Sequence, residues 1–237
     1  RIARDCKLKG IILDVEYYGP PATWRFSYAE AHARETKLLE QKLIDRTHTW
    51  PEFAAAARRR GREIMRAMCK EYPGITLISI AGFHDTAKRP WVELVGSPSM
   101  DAEMNLLPSV PHALLVPFAD GLLEGASPRA AFVDGCESAY TYALNKQFVD
   151  ARQRIKNAFD VSAVPKLYKA RMNVGFGLML DYGYHSHKWH TDPKDFGRNH
   201  FTPVDFGNAL YFAMLNSDKY VWVYSEQGVG TTFKVFL

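Results

Sequence analysis

Short apolar runs alternate with longer amphipathic stretches along this chain, and the alternation predicts its elements. Residues 10–16 (Gly-Ile-Ile-Leu-Asp-Val-Glu) are apolar and β-branched and read as a buried strand. Ser27-Tyr28-Ala29-Glu30 and Thr49-Trp50-Pro51-Glu52 have capping-box spacing, in which hydroxyl and carboxylate satisfy free amides at a helix start. The first predicts a helix running to about Asp45. The second opens a helix carrying Phe53, Ala57, Gly61, Ile64, Met68 and Tyr72 at helical spacing, stopped by Pro73-Gly74. Residues 75–80 form the next strand. Leu115, Phe118, Leu122 and Leu123 then mark an amphipathic helix, which Pro117 either opens or kinks.

Residues 130–135 are a third strand, and Leu144, Phe148, Ala151, Ile155 and Phe159 are the next helical stripe. Residues 174–181 are a fourth strand. Thr202-Pro203-Val204-Asp205 caps a helix with Phe206, Leu210 and Met214 on one face, and residues 220–224 are a fifth strand. No linker divides the chain, so it reads as a single domain over residues 1–237. Strands joined by helical crossovers pair in parallel, which predicts an α/β fold. No Gly-rich phosphate loop follows the first strand, which favours a (β/α) barrel over a dinucleotide-binding sheet. Five strands are too few to close the usual eight. The expectation is therefore a TIM-barrel-like domain truncated at its N-terminal side, with residues 10–16 as the fourth strand and 220–224 as the eighth.

Composition narrows the function classes. With 47% hydrophobic and 24% charged residues, the chain has enough apolar surface to fold, and no apolar stretch approaches the ~18 residues of a membrane span. The net charge of +4 is not clustered; the one basic run, Arg58 to Arg60 with Arg62, lies on a helix face, so no nucleic-acid partner is expected. Cys6, Cys69 and Cys136 are odd in number and far apart, which excludes a disulfide scaffold or a Cys-cluster zinc site.

Strands end in acids: Asp14 and Glu16, Asp134 and Glu137, Asp181, and Glu226. In α/β folds chemistry gathers at those ends. Asp14 and Glu16, two apart on a strand, would point the same way, and neighbouring carboxylates raise one pKa to give a proton donor beside a charged stabiliser. Glycosidic cleavage needs that division of labour. Trp222, Tyr224 and Glu226 alternate onto one face, where aromatic rings can stack on a sugar's axial C–H groups. Tyr18, Trp24, Tyr140, Tyr142 and Tyr184 also follow predicted strands.

Lys9-Gly10-Ile11-Ile12-Leu13-Asp14-Val15-Glu16-Tyr17 resembles the fourth-strand signature of family 18 chitinase-like glycoside hydrolases, Asp-Gly-x-Asp-x-Asp-x-Glu-Tyr, at Gly10, Asp14, Glu16 and Tyr17. Lys9 and Ile12 stand where the motif has acids. The resemblance implies a carbohydrate substrate, Glu16 as general acid and Asp14 as its electrostatic partner, with Asp181 or Glu226 as second carboxylate. Tyr18, Trp24, Glu137, Tyr140, Trp222 and Tyr224 would line the substrate site, with no cofactor. A catalytically silent carbohydrate-binding barrel is the alternative. Residues 221–237 also resemble the closing hairpin of sensor histidine-kinase ATP-binding domains, with Ser225-Glu226-x-Gly228-x-Gly230-Thr231-x-Phe233, but no Asn-box helix or Asp-x-Gly-x-Gly loop precedes them. Gly175-Phe176-Gly177 is a poor substitute for that loop. His185, His187 and His190 have zinc-ligand chemistry and support a third reading, a metal-dependent hydrolase.

Overall fold

The structure is a computed structural model that describes residues 2–15, 26–80, 113–180, 192, 194–224 and 234–236. Its elements run α1 (Ile2–Asp5), β1 (Gly10–Leu13), α2 (Tyr28–Glu40), α3 (Trp50–Glu71), β2 (Thr76–Ser79), α4 (Leu115–Gly125), β3 (Ala131–Asp134), α5 (Asn145–Asn157), α6 (Pro165–Arg171), β4 (Met172–Met179), α7 (Pro203–Asn216), β5 (Tyr220–Tyr224) and β6 (Lys234–Phe236). Strands β1 to β5 are parallel and lie in sequence order, and β6 pairs antiparallel with β5. The protein is thus α/β, with a five-stranded parallel sheet curled into a half-barrel. Each crossover moves the chain one strand in the same direction. Repeated with one hand, that step keeps the helices on one face and leaves the other concave.

Strand register divides the apolar residues between two cores. Leu77, Phe132, Val174, Phe176, Leu178 and Val221 face the helices with Met65, Leu122, Phe148 and Ile155. On the concave face Ile78, Ile80, Val133, Tyr220 and Trp222 cluster, with Ile12, Tyr140 and Tyr224 half-buried against them. Alternate residues of each strand therefore serve different layers, as the period of two requires.

Helix starts follow their local chemistry. Thr49–Glu52 and Thr202–Asp205 both form capping boxes, and Pro51 and Pro203 stand in the first turns. Ser27 Oγ accepts the Glu30 N–H at 3.3 Å. Pro117 sits at the third position of α4, where no intrahelical N–H is required, so it opens the helix rather than kinking it. Helix α2 stops at Glu40 rather than near Asp45. Lys42 takes a left-handed φ of 58°, its N–H bonds the Leu39 carbonyl, and the Leu43 N–H bonds the Leu38 carbonyl. That is a Schellman ending built on lysine where glycine would have been the sequence signal.

The largest departures from the expected faces lie in the helix layer. Helix α4 is buried at every position except Glu124, because α3 covers its outer side. A Cβ added at Gly61 would collide with the Phe118 carbonyl, one at Gly121 with the Arg58 carbonyl, and one at Gly125 with the Arg62 carbonyl. The two backbones touch there. That contact fixes the rotation of α3, so Gly61, Met65 and Cys69 are its buried residues and Ile64 points toward solvent. At the rim Glu124 accepts hydrogen bonds from Arg58 at 2.5 and 3.1 Å. On α7 the small residues Ala209 and Ala213 are buried against the sheet, while Met214 is exposed. Leu144 caps α5 from outside and is exposed; Phe148, Ala151 and Ile155 make its buried stripe.

Two glycines on helices should respond oppositely to alanine. Gly121→Ala forces apart backbones already in contact and should cost roughly 1–3 kcal/mol. A Cβ at Gly207 in α7 meets nothing within 4 Å, so Gly207→Ala should stabilise by about 0.5–1 kcal/mol. Urea unfolding of the two variants checks both signs; equal effects would contradict the contact.

Candidate functional site

Because β1 to β5 are parallel, their carboxyl ends meet at one edge of the half-barrel, after Leu13, Ser79, Asp134, Met179 and Tyr224. The best-defined chemistry at that edge is built around β3, β4 and β5. Asp134 closes β3 on the helix-facing side, in register with Ser79 and Val174, and its Oδ1 accepts the Cys136 N–H at 3.1 Å. Cys136 adopts φ 41°, ψ 66°, a left-handed conformation that costs a non-glycine residue energy. The Gly177 N–H bonds the Cys136 carbonyl at 3.3 Å, and the Glu137 N–H bonds that of Ile80 at 3.2 Å. These bonds hold the turn and launch the 3₁₀ segment Glu137–Thr141.

That segment sets Tyr140 over the concave face. Its ring meets Trp222 edge-on at 5.4 Å and 72°, and stacks on Tyr224 at 5.9 Å and 14°. Trp222 is only 1% exposed and donates from Nε1 to the Gly135 carbonyl at 2.9 Å. A Cβ at Gly177 would lie 2.5 Å from the indole and 3.0 Å from the Tyr140 ring; one at Gly135 would lie 3.0 Å from the indole nitrogen. The glycines make the recess that the indole fills. Tyr140 and Tyr224 remain half-buried and form the accessible part of the platform. Trp222 supports them from beneath.

Of the residues singled out from the sequence, Tyr140, Trp222 and Tyr224 come together, with Glu137 on the same 3₁₀ segment as Tyr140. Asp14 stands apart. The β1 ladder ends at Leu13, whose carbonyl accepts the Ile80 N–H at 3.2 Å, and Asp14 follows directly after it. Asp14 is exposed at the first strand. It lies four strand spacings from β5, roughly 19 Å along the sheet at about 4.8 Å per spacing. Glu16, Tyr18, Trp24, Asp181, Tyr184, His185, His187, His190 and Glu226 lie outside the described residues. Among the described residues no group of three or more His, Cys, Asp or Glu side chains could hold a metal ion, and no helix is long and apolar enough to cross a membrane.

Among the described residues, the carboxylate pushed furthest upward is Asp120, in the helix layer. Burial pushes it up to about 6, against the hydrogen bonds from Ser162 Oγ at 2.5 Å and the Ala163 N–H at 2.9 Å and the nearby Arg58 charge. Sequence reasoning passed over Asp120, which lies inside an apolar helix run. It also passed over Gly177 as a recess-maker, although glycine inside a strand marks close approach.

The fold and its concave aromatic face define a parallel α/β half-barrel with a ring platform at its carboxyl edge. Comparison with protein-family models, curated proteins and solved structures finds no match for this chain.

The raised Asp120 value fixes the sign of a pH effect. The folded state holds this proton more tightly than the unfolded chain, whose carboxyl titrates near 3.8. Its contribution to stability is therefore greatest below pH ~4 and falls as pH rises through about 6, by about 2–3 kcal/mol. Asp120→Asn cannot titrate. Unfolding free energies of parent and variant should converge or cross between pH 4 and 7; a constant difference would contradict the burial argument.

Proposed function

We propose that the five parallel strands form an incomplete glycoside-hydrolase-type (β/α) barrel, with β6 on the edge where a closed barrel would seat its first strand, acting on a carbohydrate at the carboxyl edge. The observation that carries this reading is the platform of Tyr140, on the segment after β3, with Trp222 and Tyr224 of β5, Tyr224 standing two residues before Glu226 in the chain. Paired tyrosine rings present flat apolar surface with hydroxyl edges, which suits a ring bearing axial C–H groups and equatorial hydroxyls.

In this reading Glu16 donates the proton to the leaving glycosidic oxygen. Asp14 supplies the neighbouring negative charge, and Glu226 or Asp181 acts as nucleophile or general base from the opposite side. Tyr140 and Tyr224, with Glu137, Tyr18 and Trp24, orient the sugar. The step needs no cofactor, because water supplies the incoming oxygen and two carboxyl groups move the protons. Sequential parallel pairing of β1 to β5 supports a barrel-type sheet, since a singly wound barrel repeats that order, and β6 takes the edge at which such a barrel would close.

Oligosaccharide affinity gels and chromogenic glycosides test the proposal. Tyr224→Ala and Tyr140→Ala should each weaken retention by about tenfold, the scale of one aromatic stacking contact. Glu16→Gln should leave retention intact and lower any turnover by roughly 10²–10⁴-fold. Unaltered turnover would remove Glu16 from the mechanism. Retention without turnover in the parent would favour the silent carbohydrate-binding barrel.

A further inference from the structure

The two outer edges of the sheet are unlike. Among the described residues no strand pairs with the outer edge of β1, whereas β6 covers the outer edge of β5 with Val221 opposite Phe236, Trp222 opposite Val235 and Val223 opposite Lys234. Backbone bonds say which groups each edge offers. The Leu180 N–H bonds the Tyr224 carbonyl, so by the strand's period of two Tyr220, Trp222 and Tyr224 turn their N–H and C=O toward β4. Val221 and Val223 turn theirs toward β6. Across the sheet the Thr76 and Ile80 N–H groups bond the Lys9 and Leu13 carbonyls, so Ile11 faces β2 and Gly10 and Ile12 aim their N–H and C=O at the edge that no described strand occupies.

We propose that β6 is a self-supplied cover that keeps the β5 edge from pairing with β1 of a second copy. Both edges belong to one parallel sheet. A freed β5 could take β1 of another molecule in the same parallel order that joins β4 to β5 within the chain. Such a contact is head-to-tail, joining two different patches, so it propagates into chains or closes into a ring. An antiparallel β6 blocks it by occupying Val221 and Val223. This inference concerns association only and does not depend on the carbohydrate reading.

Proline placed by register tests it. Lys234→Pro/Phe236→Pro removes two N–H groups aimed at β5, whereas Val235→Pro removes one aimed away, which an edge strand tolerates. In the double variant the Val221 and Val223 amides should exchange hydrogen roughly tenfold faster or more, the scale set by losing two ladder bonds. Sedimentation should then show species larger than the parent. Adding Ile12→Pro, which blocks the β1 edge without touching a bond to β2, should restore the parent's sedimentation. Val235→Pro alone should sediment as the parent does. The proposal is overturned if the double variant keeps the parent's mass, if its added mass survives Ile12→Pro, or if Val235→Pro associates as strongly.

Discussion

An indole is too large to be buried on the inside of a tightly curled sheet unless neighbouring positions give up their side chains. Trp222 is buried there because Gly135 and Gly177 border its ring, and because its nitrogen finds the Gly135 carbonyl. A buried indole N–H without an acceptor would cost about 1–3 kcal/mol, so the direction of that carbonyl matters as much as the space. The β3 chain reaches the position through the left-handed turn at Cys136, tied down by Asp134 and by Gly177. Tyr140 packs edge-on against that indole and in turn stacks on Tyr224. The candidate site is thus a consequence of how one tryptophan is housed.

The helix layer answers a different demand, which is to cover the outer side of α4 with α3. Contact between the α3 and α4 backbones at Gly61, Gly121 and Gly125 allows α4 to be enclosed on all sides. Enclosure makes Asp120 costly to ionise, and Ser162 and Ala163 partly offset that cost. At the opposite end of the strands Asp218 joins α5 to β4 and β5. Burial works against its charge, but Lys156, the Val174 N–H and Arg152 outweigh it and hold the carboxyl below its ordinary value.

Helix starts, strand positions and parallel order were legible in the chain because each depends on residues close in sequence. Capping boxes at Thr49 and Thr202 need only a hydroxyl and an acid three residues on, and the strand at Tyr220–Tyr224 needs only a β-branched, aromatic run between breakers. The grouping of Trp222 with Tyr224 on one face followed from the period of two. What local pattern could not supply was the face each helix buries. Ile64 and Met214 look like core residues in their stripes, yet backbone contact at Gly61 and the small residues Ala209 and Ala213 rotate both outward. Nor did composition mark the end of β1, which stops at Leu13. The identity and order of the elements were therefore determined by the sequence alone, through hydrogen bonding and periodicity within a few residues. Tertiary structure decided which side chains meet, because close packing between distant segments depends on where the glycines let two surfaces touch.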